Sequence, residues 1–306
     1  LRPGRYVVTT DGLVVLASEV GVLPIEPDRV KEKGRLAPGK ILLVDPVQGR
    51  IIGDEELKGE VSRRQPYTGW VAENRLDLKA EPAPAPLPEP DPATLHPRQL
   101  AFGYTQEDVL RVLLPMAQDG KEPVSSMGTD VPLAVLSDRS QLLYSYFKQS
   151  FAQVTNPPID PLREMIVMNT DTLLGSEVNL LGESPEHARL LKLSSPTLSD
   201  EDLAKIRAVK KPGFRAVTLS AVFPRKDGEK GLAVALDRLC GEAEAAVRDG
   251  ATIVILSDRA VGPDAVAVPA LLATSGVHHH LIRAGLRTRC GLVVETGEAR
   301  EVHHIA

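Results

Sequence analysis

The sequence predicts an α/β protein, with a parallel β/α layer or barrel segment as its larger part and a small β-rich piece ahead of it. Residues 251–256 (Ala-Thr-Ile-Val-Ile-Leu) are apolar on both faces, as a parallel strand covered on both sides must be. Strand and helix patterns alternate from about residue 214 to 295, which implies right-handed crossovers in one sheet. Residues 1 to about 55 instead show short strands joined by turn residues.

Taken in order, residues 6–8 and 13–17 read as strands, and Asp11-Gly12 between them signals a hairpin, because a type I′ turn needs positive φ. Residues 40–45 and 50–52 form a second pair through Gly49. These strands are too few to bury their own faces and are expected to belong to a larger sheet. Residue 1 is Leu rather than Met, and both ends of the chain are expected to be cut. Residues 80–97 are so rich in proline that neither helix nor sheet core is expected, only a semi-rigid linker or a surface strap. Beyond it, residues 131–136 read as a strand and about 140–153 as a helix. Ser199-Asp-Glu-Asp202 is a capping box opening a helix to about 208. Residues 214–223 read as one long strand. A helix follows at 229–249, with Leu232, Leu236, Leu239, Cys240, Ala243 and Val247 on one stripe and Gly250 as its C-cap. A helix at 269–285 and a strand at 289–295 complete the series.

Leu136-Ser137-Asp138-Arg139 and Leu256-Ser257-Asp258-Arg259 are the same four residues. Each stands at the C-terminal end of an expected parallel strand, the edge where α/β folds bind ligands and partners. Ser137, Asp138, Arg139, Ser257, Asp258 and Arg259 are therefore candidate strand-edge residues. The structural alternative is an Asp that caps the next helix and an Arg that pairs locally.

Other features exclude chemistry. Apolar residues make up 42% and charged residues 25% of the 306, an ordinary globular composition. A net charge of −5 offers no case for nucleic acid or an anionic membrane as partner. With neither a secretory signal nor a membrane-length apolar run, the chain is expected to be soluble and cytoplasmic. Cys240 and Cys290 are too few for a metal cluster and read as buried small hydrophobes. His278-His279-His280 on a helix point about 100° apart and cannot converge on one ion, and His303-His304 on a terminal strand would face opposite sides. Asp237, Glu242 and Glu244 read as a solvated helix face. Neither nucleotide loops nor nucleophile motifs occur, so no catalytic, cofactor-binding or metal residue is assigned.

Leu1-Arg-Pro-Gly-Arg-Tyr6, Ala17-Ser-Glu-Val-Gly-Val22, Leu43-Val-Asp45 and Gly53-Asp-Glu-Glu-Leu57 together resemble the late part of the class II glutaminase domain of the glutamate synthase family. Ser126-Met127-Gly128-x-Asp130 and the long run from Tyr146 to Glu164 resemble its central domain, as do Pro185-Glu-His-Ala-Arg189, Val277-His-His-His-Leu-Ile-Arg283 and Arg300-Glu-Val-His-His304.

The resemblance implies residues 1–79 as the end of the glutaminase domain plus a connector, 80–97 as linker and 98–306 as the central domain, with a fold related to an incomplete (β/α) barrel. It implies an enzyme making two L-glutamates from L-glutamine and 2-oxoglutarate. Ammonia would pass through an internal tunnel to an FMN domain, with electrons arriving through an iron–sulfur cluster from NADPH, NADH or ferredoxin. The expected partners are the glutaminase and FMN domains of the same chain and a small reductase subunit. The family's catalytic Cys has no counterpart here, so this stretch alone is expected to be inactive and cofactor-free. The central domain would connect the two sites and help wall the tunnel, with Ser126, Met127, Gly128 and Asp130 facing it. The other reading is a non-catalytic scaffold or binding module that reuses the domain.

Overall fold

A computed structural model describes residues 4–82, 84, 87, 89, 91–121, 123, 133–147, 157 and 159–306. The chain divides into two compact units, Leu1–Glu73 with Phe151–Asp171, and Asn74–Ser150 with Thr172–Ala306.

The first unit opens with β1 (Arg5–Thr9), β2 (Val14–Ala17) and β3 (Val30–Arg35) in an antiparallel sheet of order β2-β1-β3. The hairpin forms at Asp11-Gly12, but Thr9 N donates to Leu13 O and only Gly12 has positive φ (85°). The turn is thus a three-residue loop with glycine in the left-handed position, not type I′. β4 (Leu43–Asp45) and β5 (Arg50–Ile52) pair antiparallel around Gly49, at φ 64°. The sequence reading had no element for β3, whose Val-Lys-Glu-Lys-Gly-Arg is mostly exposed and lacks an apolar alternation. Helices α1 (Asp54–Arg63) and α2 (Tyr67–Asn74) follow. Asp54, in the first turn of α1, accepts from Lys40, Lys58 and Ile41 N and so ties the helix to the chain before β4.

In the second unit, β6 (Leu76–Asp77) precedes the proline-rich stretch, and α3 (Pro92–Ala101) begins inside it. Expecting no helix there was wrong. Asp91 caps α3 through Ala93 N, and Pro92 sits at the first turn, where its missing N–H has no partner to lose. A π-helical turn (Asp108–Leu113) leads into α4 (Leu114–Asp119). The expected strand at 131–136 is not one over its described part. Ala134–Leu136 is a 3-10 turn closed by Leu136 N to Leu133 O. The expected helix at 140–153 likewise reduces, where described, to a 3-10 turn at Leu143–Tyr146. Helix α5 (Pro161–Val167) returns to the first unit, capped by Asp160.

The rest of the second unit holds β7 (Thr172–Gly175), β8 (Leu190–Leu193), α6 (Asp200–Ala208), β9 (Ala216–Ser220), β10 (Val222–Pro224), α7 (Gly228–Arg248), β11 (Ile253–Ser257), β12 (Ala265–Ala267), α8 (Ala270–Arg283), β13 (Gly291–Glu295) and α9 (Val302–Ile305). The α/β expectation holds here: β13-β11-β9 is a parallel sheet. The Ser199 capping box forms as read, with Asp202 N donating to Ser199 Oγ and Ser199 N to Asp202 Oδ2. The expected strand at 214–223 breaks in two, because Ala221 N turns to Ser257 O and β10 pairs antiparallel with β12 instead. The terminal His303-His304 lie on α9, not on a strand.

Every residue of β11 is buried. Val254 and Leu256 join α7 and α8 in one core, and Ile253 and Ile255 join α6 and the β6-β8-β7 sheet in the other. The parallel sheet is therefore a middle layer. On α7 the buried line is Gly231, Ala235, Leu239, Ala243 and Val247, one position off the centre of the expected stripe, so Leu232, Leu236 and Cys240 sit on its margin. At the start of that line glycine lets the helix approach β10 closely; a Cβ on Gly231 would meet the Phe223 ring at 2.8 Å.

Leu239, fully buried, should lose about 2–5 kcal/mol on Leu239→Ala, and the half-buried Leu236 clearly less. Urea-denaturation midpoints check this, and equal losses at the two positions would show that the buried line of α7 is drawn wrongly.

Candidate functional site

The candidate site is the edge where β9, β11 and β13 end. Ser257 and Asp258 leave β11 buried, while Arg259 is exposed. Glu295, the last residue of β13, accepts from Ser257 Oγ, from Arg207 on α6 at 2.7 Å and from Arg259 at 3.1 Å. Burial pushes the Glu295 carboxyl up, but the hydrogen bonds from Arg207 and Ser257 and the charges of Arg207 and Arg259 outweigh it, leaving the group below its usual value. A serine beside such a carboxylate faces a weak base that two guanidinium groups already occupy, so Ser257 is not an activated nucleophile.

Asp258 turns inward. It accepts from Thr296 Oγ1 and Gly297 N, and so holds the turn that follows β13. Burial, joined by the charges of Glu298 and Glu295, pushes its carboxyl up to about 6 against the pull of those hydrogen bonds. Glu298, two residues on, accepts from Ala270 N at 2.7 Å and caps α8, whose N-cap is Pro269. Burial raises Glu298 as well. Arg300 extends from the same turn to Phe102 O and Gly103 O, both at 3.1 Å, with its guanidinium 3.9 Å from the centre of the Tyr104 ring. Tyr104 returns the contact, donating to Gly297 O at 2.8 Å. Beside it His304 stacks on Tyr144 with centroids 4.4 Å apart, and burial pushes the Tyr144 hydroxyl up to about 12.

The two Ser-Asp-Arg repeats part company here. Ser137 follows a 3-10 turn rather than a strand, Asp138 and Arg139 are exposed, and no hydrogen bond joins them to residues 257–259 among the described residues. What the repeats share is local: Ser137 Oγ accepts from Arg139 N at 3.1 Å, and Ser257 Oγ from Arg259 N at 3.3 Å. A serine turn accounts for the repeated tetrapeptide. Ser126, Met127, Gly128 and Asp130 lie outside the described residues. Glu295, Thr296, Glu298, Arg300 and Tyr104 were not singled out as site residues, because their roles arise from pairings across up to 198 positions that no local pattern marks.

Elsewhere the histidines serve packing. His280 pairs with Glu244 on α7 at 2.7 Å and His278 accepts from Arg287 at 2.9 Å. Glu244 and Glu242, expected on a solvated face, are half-buried and paired, the latter with Arg238. Cys290 is buried and Cys240 half-buried. Two cysteines do not fit an iron–sulfur cluster, which takes four ligands, and the described residues hold no group of three metal-ligating side chains. An open cleft of about 760 Å³ lies at the opposite, N-terminal edge of the sheet, lined by Val178, Arg248, Thr252 and Arg289 among others. No helix among the described residues is long and apolar enough to cross a membrane.

The raised Asp258 carboxyl sets a pH dependence. Its folded value of about 6 lies above the unfolded value of about 3.9, so the folded state holds the proton more tightly. That contribution is complete below about pH 4 and is lost as pH rises through about 6, a loss on the order of 3 kcal/mol for a two-unit shift. Asp258→Asn keeps the acceptor and cannot titrate. Between pH 4 and 7 the variant should gain stability relative to the native chain, measured by urea denaturation at each pH; a difference that does not change with pH would refute the assignment.

Comparison with known proteins gives this architecture a family. The model of the glutamate synthase central domain matches residues 97–306, and that of class II glutamine amidotransferases matches residues 1–70. The chain is 45% identical over 306 residues to the glutamate synthase [NADPH] large chain of Bacillus subtilis and 46% identical over 314 residues to that of Azospirillum brasilense. It is 43% identical over 310 residues to the ferredoxin-dependent glutamate synthase 2 of Synechocystis. All of this chain is covered in each case, and it spans 20% of the length of each of these relatives. With one family model covering more than half of its length, the chain belongs to the glutamate synthase central-domain family and carries a class II amidotransferase segment ahead of that domain.

Proposed function

We propose that this chain is the connecting stretch of a glutamate synthase large chain, joining a glutaminase site to a flavin site in the same polypeptide. The observation that carries this is the order of the two matches: an amidotransferase segment at 1–70 precedes a central domain at 97–306 in one chain. The whole protein would form two L-glutamates from L-glutamine, 2-oxoglutarate and reductant, with FMN and an iron–sulfur cluster held elsewhere in the chain. The reductant would be NADPH, NADH or ferredoxin; relatives at 45%, 40% and 43% identity are named for each of these in turn. A cytoplasmic site, a small reductase subunit, a division at the proline-rich stretch 80–97 and kinship of 98–306 to an incomplete (β/α) barrel belong to the same reading. For the barrel kinship the support is β9, β11 and β13, parallel and joined through α7 and α8.

Residues 125–130 are the proposed wall of the ammonia passage. The hydroxyls of Ser125, Ser126 and Thr129 and the Met127 thioether would offer a neutral molecule only weak hydrogen bonds. Met127→Trp in the whole protein should uncouple the two halves: glutamine is still hydrolysed, glutamate formation from glutamine falls, and synthesis from added ammonia survives. If the two activities fall in parallel, or neither changes, this loop is not the passage. The scaffold reading makes the opposite prediction for the native whole protein, namely no glutamine-dependent glutamate formation at all. The 306-residue chain by itself should release no glutamate from glutamine and show no flavin absorption, and either signal would place catalytic machinery inside it.

A further inference from the structure

We propose that Arg300 is a positioning residue: it registers the segment that follows the proline-rich stretch onto the edge of the parallel sheet, and this registration couples the two half-reactions of the whole protein. The second half of the statement rests on the connecting role proposed above; the first rests on geometry alone.

Helix α3 ends at Ala101, and its last turn is closed locally, by Phe102 N to Arg98 O, Gly103 N to Leu100 O and Tyr104 N to Gln99 O. The carbonyls just past that closure, Phe102 O and Gly103 O, are reached by Arg300 from up to 198 positions away. Its two terminal nitrogens donate to Phe102 O and Gly103 O, and the positive charge stands at the C-terminal end of the helix, where the macrodipole favours it. The side chain is nearly buried, at 4% exposure, and its carboxylate partner among the described residues, Asp108, is 3.4 Å away. Its Nε is buried without a partner. A guanidinium held this way, mainly by neutral carbonyls, is a poor source of net stability, since desolvation offsets what the contacts return. The best attested use of such a buried charge is to select one register.

Two further contacts set that register independently of the charge. Tyr104 donates to Gly297 O, and Gly297 lies so close to Phe102 that a Cβ there would meet its ring at 2.6 Å. The turn 297–300 is in turn held to β11 by Asp258 and to α8 by Glu298. The first turn after the proline-rich stretch is thereby locked to the end of the central strand.

Lys cannot reproduce the fork that spans two adjacent carbonyls, so Arg300→Lys keeps the charge and loses the register. Gly297→Ala disturbs the same contact from the other side without touching a charge. In the whole protein both variants should raise the glutamine hydrolysed per glutamate formed severalfold, while ammonia-dependent synthesis stays near the native rate. Hydrogen exchange in the same proteins should show the amides of 102–108 losing protection. A parallel fall of both activities, or an unchanged ratio, would overturn the coupling role. Unchanged protection at 102–108 in Arg300→Lys would overturn the clamp itself. If the native whole protein shows no coupling at all, the connecting function fails instead, and the exchange measurement still decides the clamp.

Discussion

The second unit depends on a strand that has no solvent face. β11 is paired on both edges and covered on both sides, so its odd and even residues serve different cores: Ile253 and Ile255 pack toward α6 and the small mixed sheet, Val254 and Leu256 toward α7 and α8. A strand in that position cannot shift by one residue without exchanging two complete sets of contacts. Everything attached to its end inherits the constraint. Ser257 and Asp258 are delivered to a fixed place, and through them so is the turn after β13.

That turn concentrates the polar groups the interior tolerates. Thr296, Gly297, Glu298 and Arg300 are held from three places: Asp258 just after β11, the turn after α3, and the start of α8. The two carboxyls raised by burial, Asp258 and Glu298, are acceptors for backbone amides rather than acids poised for reaction. The depressed one, Glu295, is neutralised by arginines. An edge that in many α/β enzymes holds a ligand is here filled by the protein's own side chains, which is consistent with the connecting role proposed above.

The family match fits this picture. The chain covers 20% of relatives such as the Bacillus subtilis large chain. Its side chains build connections: Arg300 binds the turn after α3 from almost two hundred residues away, and Glu298, from the turn after β13, caps the start of α8.

By itself the sequence determined the elements whose cause is local. The both-sided apolarity of residues 253–256 marks a buried parallel strand, the three-and-four spacing of 232–247 marks α7, Ser199 and Asp202 close their own capping box, and Gly250 at φ 88° ends α7. The long ordered match of segments also made the family legible before any coordinates. Only the tertiary structure decided the rest. Val-Leu at 135–136 is as apolar as a strand, yet the backbone closes on itself there in a 3-10 turn. β3 is too charged to look like a strand, yet β1 supplies its ladder. The identical Ser-Asp-Arg triplets acquire different surroundings because only one of them follows β11. Arg300 looks like one more surface arginine until the end of α3 is brought to it, since a buried charge is defined by what surrounds it and those groups lie nearly two hundred positions away.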